Sequence, residues 1–197
     1  MQIFFILLGY ELKINFRQFS RILAGFLFFI IFLSSFYLLT SDQLIPGSII
    51  ILFSLISCII FSSAEFLKKD FESGLSEQMI LSCDNFEIFI AAKMLANWLV
   101  CSLPILFVVG IINPDFLLSA LFVSLIINFI CCFCGSLSIL GNAAPMIAAL
   151  ALPLIIPVLL IALGEVSSSL KILGGLCFFL APILIFATSK IVKIAHE

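Results

Sequence analysis

The chain has 197 residues, of which 64% are hydrophobic and 10% charged, with a formal net charge of −2. An ordinary soluble domain is about 45–50% apolar and about 25% charged, so so few charges cannot clothe a water-facing surface, and a soluble globular protein is excluded. No basic block suggests a nucleic-acid partner, and a mean hydropathy of +1.39 points to a chain that meets lipid.

Residues 1–21 come first. Their apolar run, Ile3 to Leu8, is short, has no basic region before it, and leads into Glu11, Lys13 and Arg17 rather than a small-residue cleavage site, so it does not read as a signal peptide. Polar Glu11, Lys13, Asn15, Arg17, Gln18 and Arg21 interleave with Tyr10, Leu12, Ile14, Phe16 and Phe19. The pattern predicts an amphipathic helix lying in the membrane interface; a frayed extension of the first span is the alternative.

A bilayer core needs about 20 apolar residues, and six stretches qualify: 22–40, 46–64, 91–112, 116–139, 143–163 and 171–190. Turn formers close several of them: Ser41-Asp42 the first, Asn113-Pro114-Asp115 the third, Gly141-Asn142 the fourth. The expected fold class is therefore all-α, a polytopic membrane protein of six transmembrane helices forming one domain over 1–197. Lysine and arginine stay preferentially on the cytoplasmic side. With both termini inside, that side receives Lys13, Arg17, Arg21, Lys68, Lys69, Lys93, Lys190 and Lys193, and the outside only Lys171.

One connection is substantial. Residues 65–86 read EFLKKDFESGLSEQMILSCDNF. Leu67, Phe71, Leu75 and Met79 recur every four residues and give one apolar helical face, while Gly74 in the middle predicts two short helices with a bend between them. Asp84 and Glu87 have capping-box spacing and are expected to start the third span. A charged first half followed by apolar residues suits either a docking surface for a cytoplasmic partner or a loop resting on lipid headgroups.

Chemistry-bearing patterns are few. The sequence has no G-x-x-x-x-G-K-[ST] phosphate loop, no G-x-S-x-G and no H-E-x-x-H, and its one histidine, His196, stands next to the C-terminus. A nucleotide site, a nucleophile with its base and a zinc protease site are thus not expected. Lys93 and Asn97 are four apart on one face of the third span, with Trp98 beside them. A charge inside a span is a functional candidate, but Lys93 is near enough to the end to snorkel. Snorkelling is the expectation, with Asn97 and Trp98 as interhelical glue. Of the seven cysteines (Cys58, Cys83, Cys101, Cys131, Cys132, Cys134, Cys177), the Cys131-Cys132-x-Cys134 cluster invites a soft-metal reading. Adjacent helical positions diverge by about 100°, so small-residue packing is preferred and no metal site is expected. Pro104, Pro153, Pro157 and Pro182 fall inside spans; Pro153 and Pro157, one turn apart, predict a kinked fifth span, serving as a hinge or as a static bend.

Phe66, Lys68, Asp70, Gly74, Glu77 and Gln78, followed by Ala92-Lys93, Trp98 and Leu103-Pro104, resemble the haem-exporter B (CcmB) family of cytochrome c maturation. The segment Leu152 to Leu160, LPLIIPVLL, matches as well, and the proline-containing last span does so more loosely. The sequence departs from the family pattern at Asn97, where His often stands beside the Trp, and at Leu75-Ser76, where Ser-Leu is usual. The fourth-to-fifth connection lacks the family's basic residues.

The resemblance implies an ABC exporter type of transmembrane domain in the bacterial inner membrane, with no catalysis of its own. It implies an ABC ATPase subunit that holds ATP, a haem-handling membrane protein, a small membrane subunit, a haem chaperone and two copies per complex. Phe66, Lys68, Asp70, Phe71, Gly74, Glu77 and Gln78 then form the coupling surface to the ATPase, Pro153 and Pro157 the hinge, and Lys93, Asn97 and Trp98 the intramembrane polar set. Haem iron is commonly held by His, Met, Cys or Tyr; with no intramembrane histidine, the chain is expected to bind no haem stably by itself. An exporter of another hydrophobic or lipid cargo, a vitamin-binding transporter subunit and a membrane enzyme are the competing classes, in that order. Short outer connections disfavour the second, and missing catalytic constellations the third.

Overall fold

In lipid every backbone N–H and C=O must be satisfied within the chain, which leaves helices as the economical solution for apolar segments of this length. A computed structural model of the protein describes residues 2–17, 19–39, 47–63, 67–82, 85–137, 139, 144–164 and 166–196, and these are almost entirely helical. In chain order the helices are α1 (Gln2–Arg17), α2 (Phe19–Leu39), α3 (Gly47–Ser63), α4 (Lys68–Glu72), α5 (Leu75–Ser82), α6 (Phe86–Ile112), α7 (Leu117–Leu137), α8 (Ala144–Ala162) and α9 (Val166–Ala195). A 3-10 turn over Pro114–Phe116 joins α6 to α7.

Three helical stretches, Phe86–Ile112, Pro114–Leu137 and Ser169–Ala195, are long and apolar enough to cross a membrane, and Gly25–Phe36, Gly47–Ile60 and Ala151–Ala162 are shorter apolar stretches. The protein is thus a multi-pass membrane protein. The helix that carries the stretch 91–112 starts at Phe86, and the one that carries 171–190 runs from Val166 to Ala195. The excess is physical. At about 1.5 Å per residue, α9 is roughly 45 Å long against a hydrocarbon core of about 30 Å, so its charged ends continue the helix beyond the apolar region. Asn85 precedes α6 without a side-chain cap bond. Glu87 meets Ser189 and Lys193 of α9, and Asp84, the other half of the expected capping box, lies outside the described residues.

Much of α7 is enclosed, and it packs against α3, α6, α8 and α9. Ile126, Ile127, Cys132 and Cys134 fill its contacts with Leu55, Ile59, Met94 and Ile105 in one apolar core. Small residues let these helices approach closely, as lipid-embedded packing requires. Cys131, Cys132 and Cys134 are buried and serve this packing; among the described residues no group of side chains is arranged to hold a metal. Pro153 and Pro157 lie within a continuous α8, with exposed rings.

Where α2 crosses α3, the thiol of Cys58 donates to the Gly25 carbonyl at 3.0 Å, and a Cβ on residue 25 would stand 3.3 Å from that sulfur. Gly25→Val should therefore overpack the crossing and cost about 1–3 kcal/mol. Melting in detergent should show a lower midpoint for this variant, partly recovered when Cys58→Ala is added. Equal midpoints for the single and double variants would mean the crossing is looser than these distances indicate.

Candidate functional site

Charge and loop structure gather at one end of the bundle, where α3 and α9 end and α6 begins. There α4 and α5 form two short helices separated at Gly74, whose φ of +71° a side chain would rarely adopt. Leu67 is buried on their underside, with Phe71, Leu75 and Met79 half-buried beside it. Lys68, Glu72, Glu77 and Gln78 are exposed on the outer side, together with Leu81, which is 82% exposed. Phe66 lies outside the described residues.

Two polar ties fix this loop to the bundle. On one side Asp70 of α4 forms an ion pair with Lys93 of α6. The same ammonium donates at 3.0 Å to Glu11 Oε2 of α1 and stands 5.8 Å from the centroid of the Phe89 ring. Glu11 is 1% and Lys93 7% exposed. Lys93 therefore does not snorkel to the headgroups. Two carboxylates, one of them 82 positions away in sequence, give it a nearer partner, and α1 packs along α6 to deliver one of them. Asp70 turns inward to the same group instead of facing outward with Glu77 and Gln78.

On the other side Ser76 Oγ lies 2.8 Å from His196 Nε2, and the His196 ring centroid is 4.7 Å from that of Phe71. The end of α9 is itself held to the start of α6: Lys193 Nζ lies 3.2 Å from Glu87 Oε1, and Ser189 Oγ donates to that oxygen at 3.1 Å. The sequence alone assigns Glu11, Ser76 and His196 no role at this end of the bundle. The one histidine looks like a trailing residue until α9 is known to extend as far as Ala195.

Deeper in the bundle, Asn97 Nδ2 donates to Asn128 Oδ1 at 2.8 Å and, more weakly, to Ser63 Oγ at 3.4 Å. Asn128 Nδ2 donates to the Met94 carbonyl at 3.0 Å, and the Trp98 indole donates to Ser124 Oγ at 3.0 Å. This network joins α3, α6 and α7, and an interhelical bond of this type contributes about 0.6–2 kcal/mol. Asn97 and Trp98 each bond from α6 to a side chain on a neighbouring helix. Pro153 and Pro157 stand apart from both polar regions, on α8.

The tie at His196 yields a prediction. A net hydrogen bond contributes about 0.5–1.5 kcal/mol and an aromatic pair a similar amount. His196→Ala should therefore raise amide exchange across 67–82 about tenfold while leaving the core of α6 unchanged. Exchange that stays at the wild-type rate would show the loop is held without it.

The family model for the CcmB protein matches residues 2–195. The chain is also 26% identical over 186 residues, covering 86% of this chain and 82% of the other, to heme exporter protein B of Pseudomonas aeruginosa. The chain belongs to the CcmB family.

Proposed function

We propose that this CcmB-family chain is the membrane permease subunit of an ABC-type complex in cytochrome c maturation, coupling ATP hydrolysis by a separate subunit to haem delivery or to release of a haem-loaded chaperone. The observation that carries the reading is the platform made by α4 and α5. Its outer face bears Lys68, Glu77, Gln78 and exposed Leu81, while its underside is tied to α1, α6 and α9. A surface both accessible and firmly attached to spanning helices suits the receipt of force from a nucleotide-binding partner. The relative's name, heme exporter protein B, supports haem as the business of the complex.

In this reading α2, α3, α6, α7, α8 and α9 are the six spans, α1 lies in the interface, and the platform and both termini face the cytoplasm of the inner membrane. The helix order supports this, since it carries eight of the nine lysines and arginines towards the platform end and leaves Lys171 at the other. ATP sits on the partner subunit. A haem-handling membrane protein, a small membrane subunit and the chaperone complete the assembly, with two copies of this chain. The chain holds no haem stably by itself in this reading, which its one histidine supports by standing outside the apolar core, beside Ser76 and Phe71. Pro153 and Pro157 give α8 the local weakness a hinge needs, since each removes a backbone hydrogen bond.

Affinity purification of the tagged chain in mild detergent, with mass spectrometry of what accompanies it, tests the reading. An ABC ATPase and cytochrome-maturation proteins are expected, with ATPase recovery reduced at least fivefold in Glu77→Ala/Gln78→Ala. An ATPase without the maturation proteins would indicate another hydrophobic cargo, and no ATPase from a folded sample would sink the reading. For α8, Pro153→Ala/Pro157→Ala should straighten the helix and lower cytochrome c maturation severalfold with assembly intact. Full activity would leave the prolines a static role.

A further inference from the structure

The reading above assigns the platform's outer face to a partner but does not say how movement of that face reaches the membrane. We propose that Lys93 is a positioning residue for energy coupling: with Glu11 and Asp70 it forms a buried latch that makes α1, α4 and α6 move as one unit. The proposal rests on the coupling reading and names the internal device that reading requires.

Three observations carry it. Lys93 lies seven residues into α6, about two helical turns, yet its side chain reaches both a carboxylate on α1 and one on α4. The three residues come from positions 11, 70 and 93, so no local segment could bring them together; only this packing does. Second, the charges are unequal. Two carboxylates share one ammonium, and Glu11 Oε1 is buried with no hydrogen-bond partner among the described residues. Third, exposure is graded: the Asp70 side chain is 21% accessible, whereas those of Lys93 and Glu11 are 9% and 1% accessible. The latch therefore has an outer end on the platform and an inner end against α1.

Physics makes such a cluster stiff against separation rather than strongly stabilising. Replacing a buried ion cluster by apolar groups is often neutral, but pulling one member away leaves a charge unpaired in a poorly solvating place. A displacement of α4 is therefore resisted at Asp70 and passed to Lys93 and Glu11. Without the charges, α4 could slide over the end of α6 with little penalty.

The test uses the whole complex in lipid nanodiscs, with the double variant Glu11→Gln/Lys93→Met. This change removes the two most deeply buried charges and leaves Asp70, the most accessible of the three side chains at 21%. ATP hydrolysis within twofold of wild type is expected, with cytochrome c maturation per ATP hydrolysed reduced at least tenfold. A merely structural role would lower hydrolysis and maturation together, or prevent assembly, and either result overturns the latch. Wild-type maturation in the double variant would also overturn it. The coupling reading fails separately, and earlier, if the wild-type chain brings no ATPase into the complex.

Discussion

Lys93 holds its ammonium two turns inside α6 with little contact with water, and a charge in that position must be neutralised where it stands. Two distant segments do so. Glu11 brings α1 onto the side of α6, and Asp70 brings α4 across its end. The Glu11–Lys93–Asp70 contacts thus constrain how these three helices meet, alongside the packing of α1 along α6. Buried ion clusters contribute little net stability, but they are exacting about which groups meet. That specificity fixes the platform's position relative to the membrane helices.

Polarity within the bundle is unevenly distributed. Glu11, Lys93, Asn97, Asn128 and Ser189 are all buried, and all lie in the half nearer the platform. In the other half the buried polar side chains among the described residues are serines, such as Ser124, whose hydroxyl donates to the Leu121 carbonyl of its own helix at 2.8 Å. The platform half is thus cross-braced between helices, and the far half is held mainly by apolar packing. Braced structure transmits displacement, whereas apolar contacts between helices in lipid allow relative sliding. Pro153 and Pro157 of α8 weaken its backbone where that helix already faces outward.

How much of this was legible in the sequence divides along a physical line. The existence and order of the helices follow from apolar runs long enough for a bilayer, and the break at Gly74 follows from the residue itself. The platform was visible as a charged, periodic loop. What could not be read were the partners of Lys93, because periodicity reports which face of one helix is polar and not which helix it meets. Snorkelling was the sensible expectation for a lysine near a helix end, and it is displaced only because Glu11, on a segment that reads as interfacial, turns a carboxylate towards it. His196 was hidden for another reason. Its role depends on α9 continuing beyond its apolar stretch, and residues after Lys190 carry no hydropathy signal that marks them as helical.

The length of α9 then matters to how the platform is attached. A last span ending at residue 190 would stop short of Lys193 and His196, leaving the platform tied on the Asp70 side alone and free to pivot about that point. By continuing to Ala195, α9 brings Lys193 to Glu87 and His196 to Ser76 and Phe71. The platform gains a second attachment on the opposite edge. With both ties in place, the coupling proposed above would pass a push on its outer face to α6, through Lys93, and to α9, through His196. Both helices pack against the enclosed α7, which is therefore the element about which they would have to move.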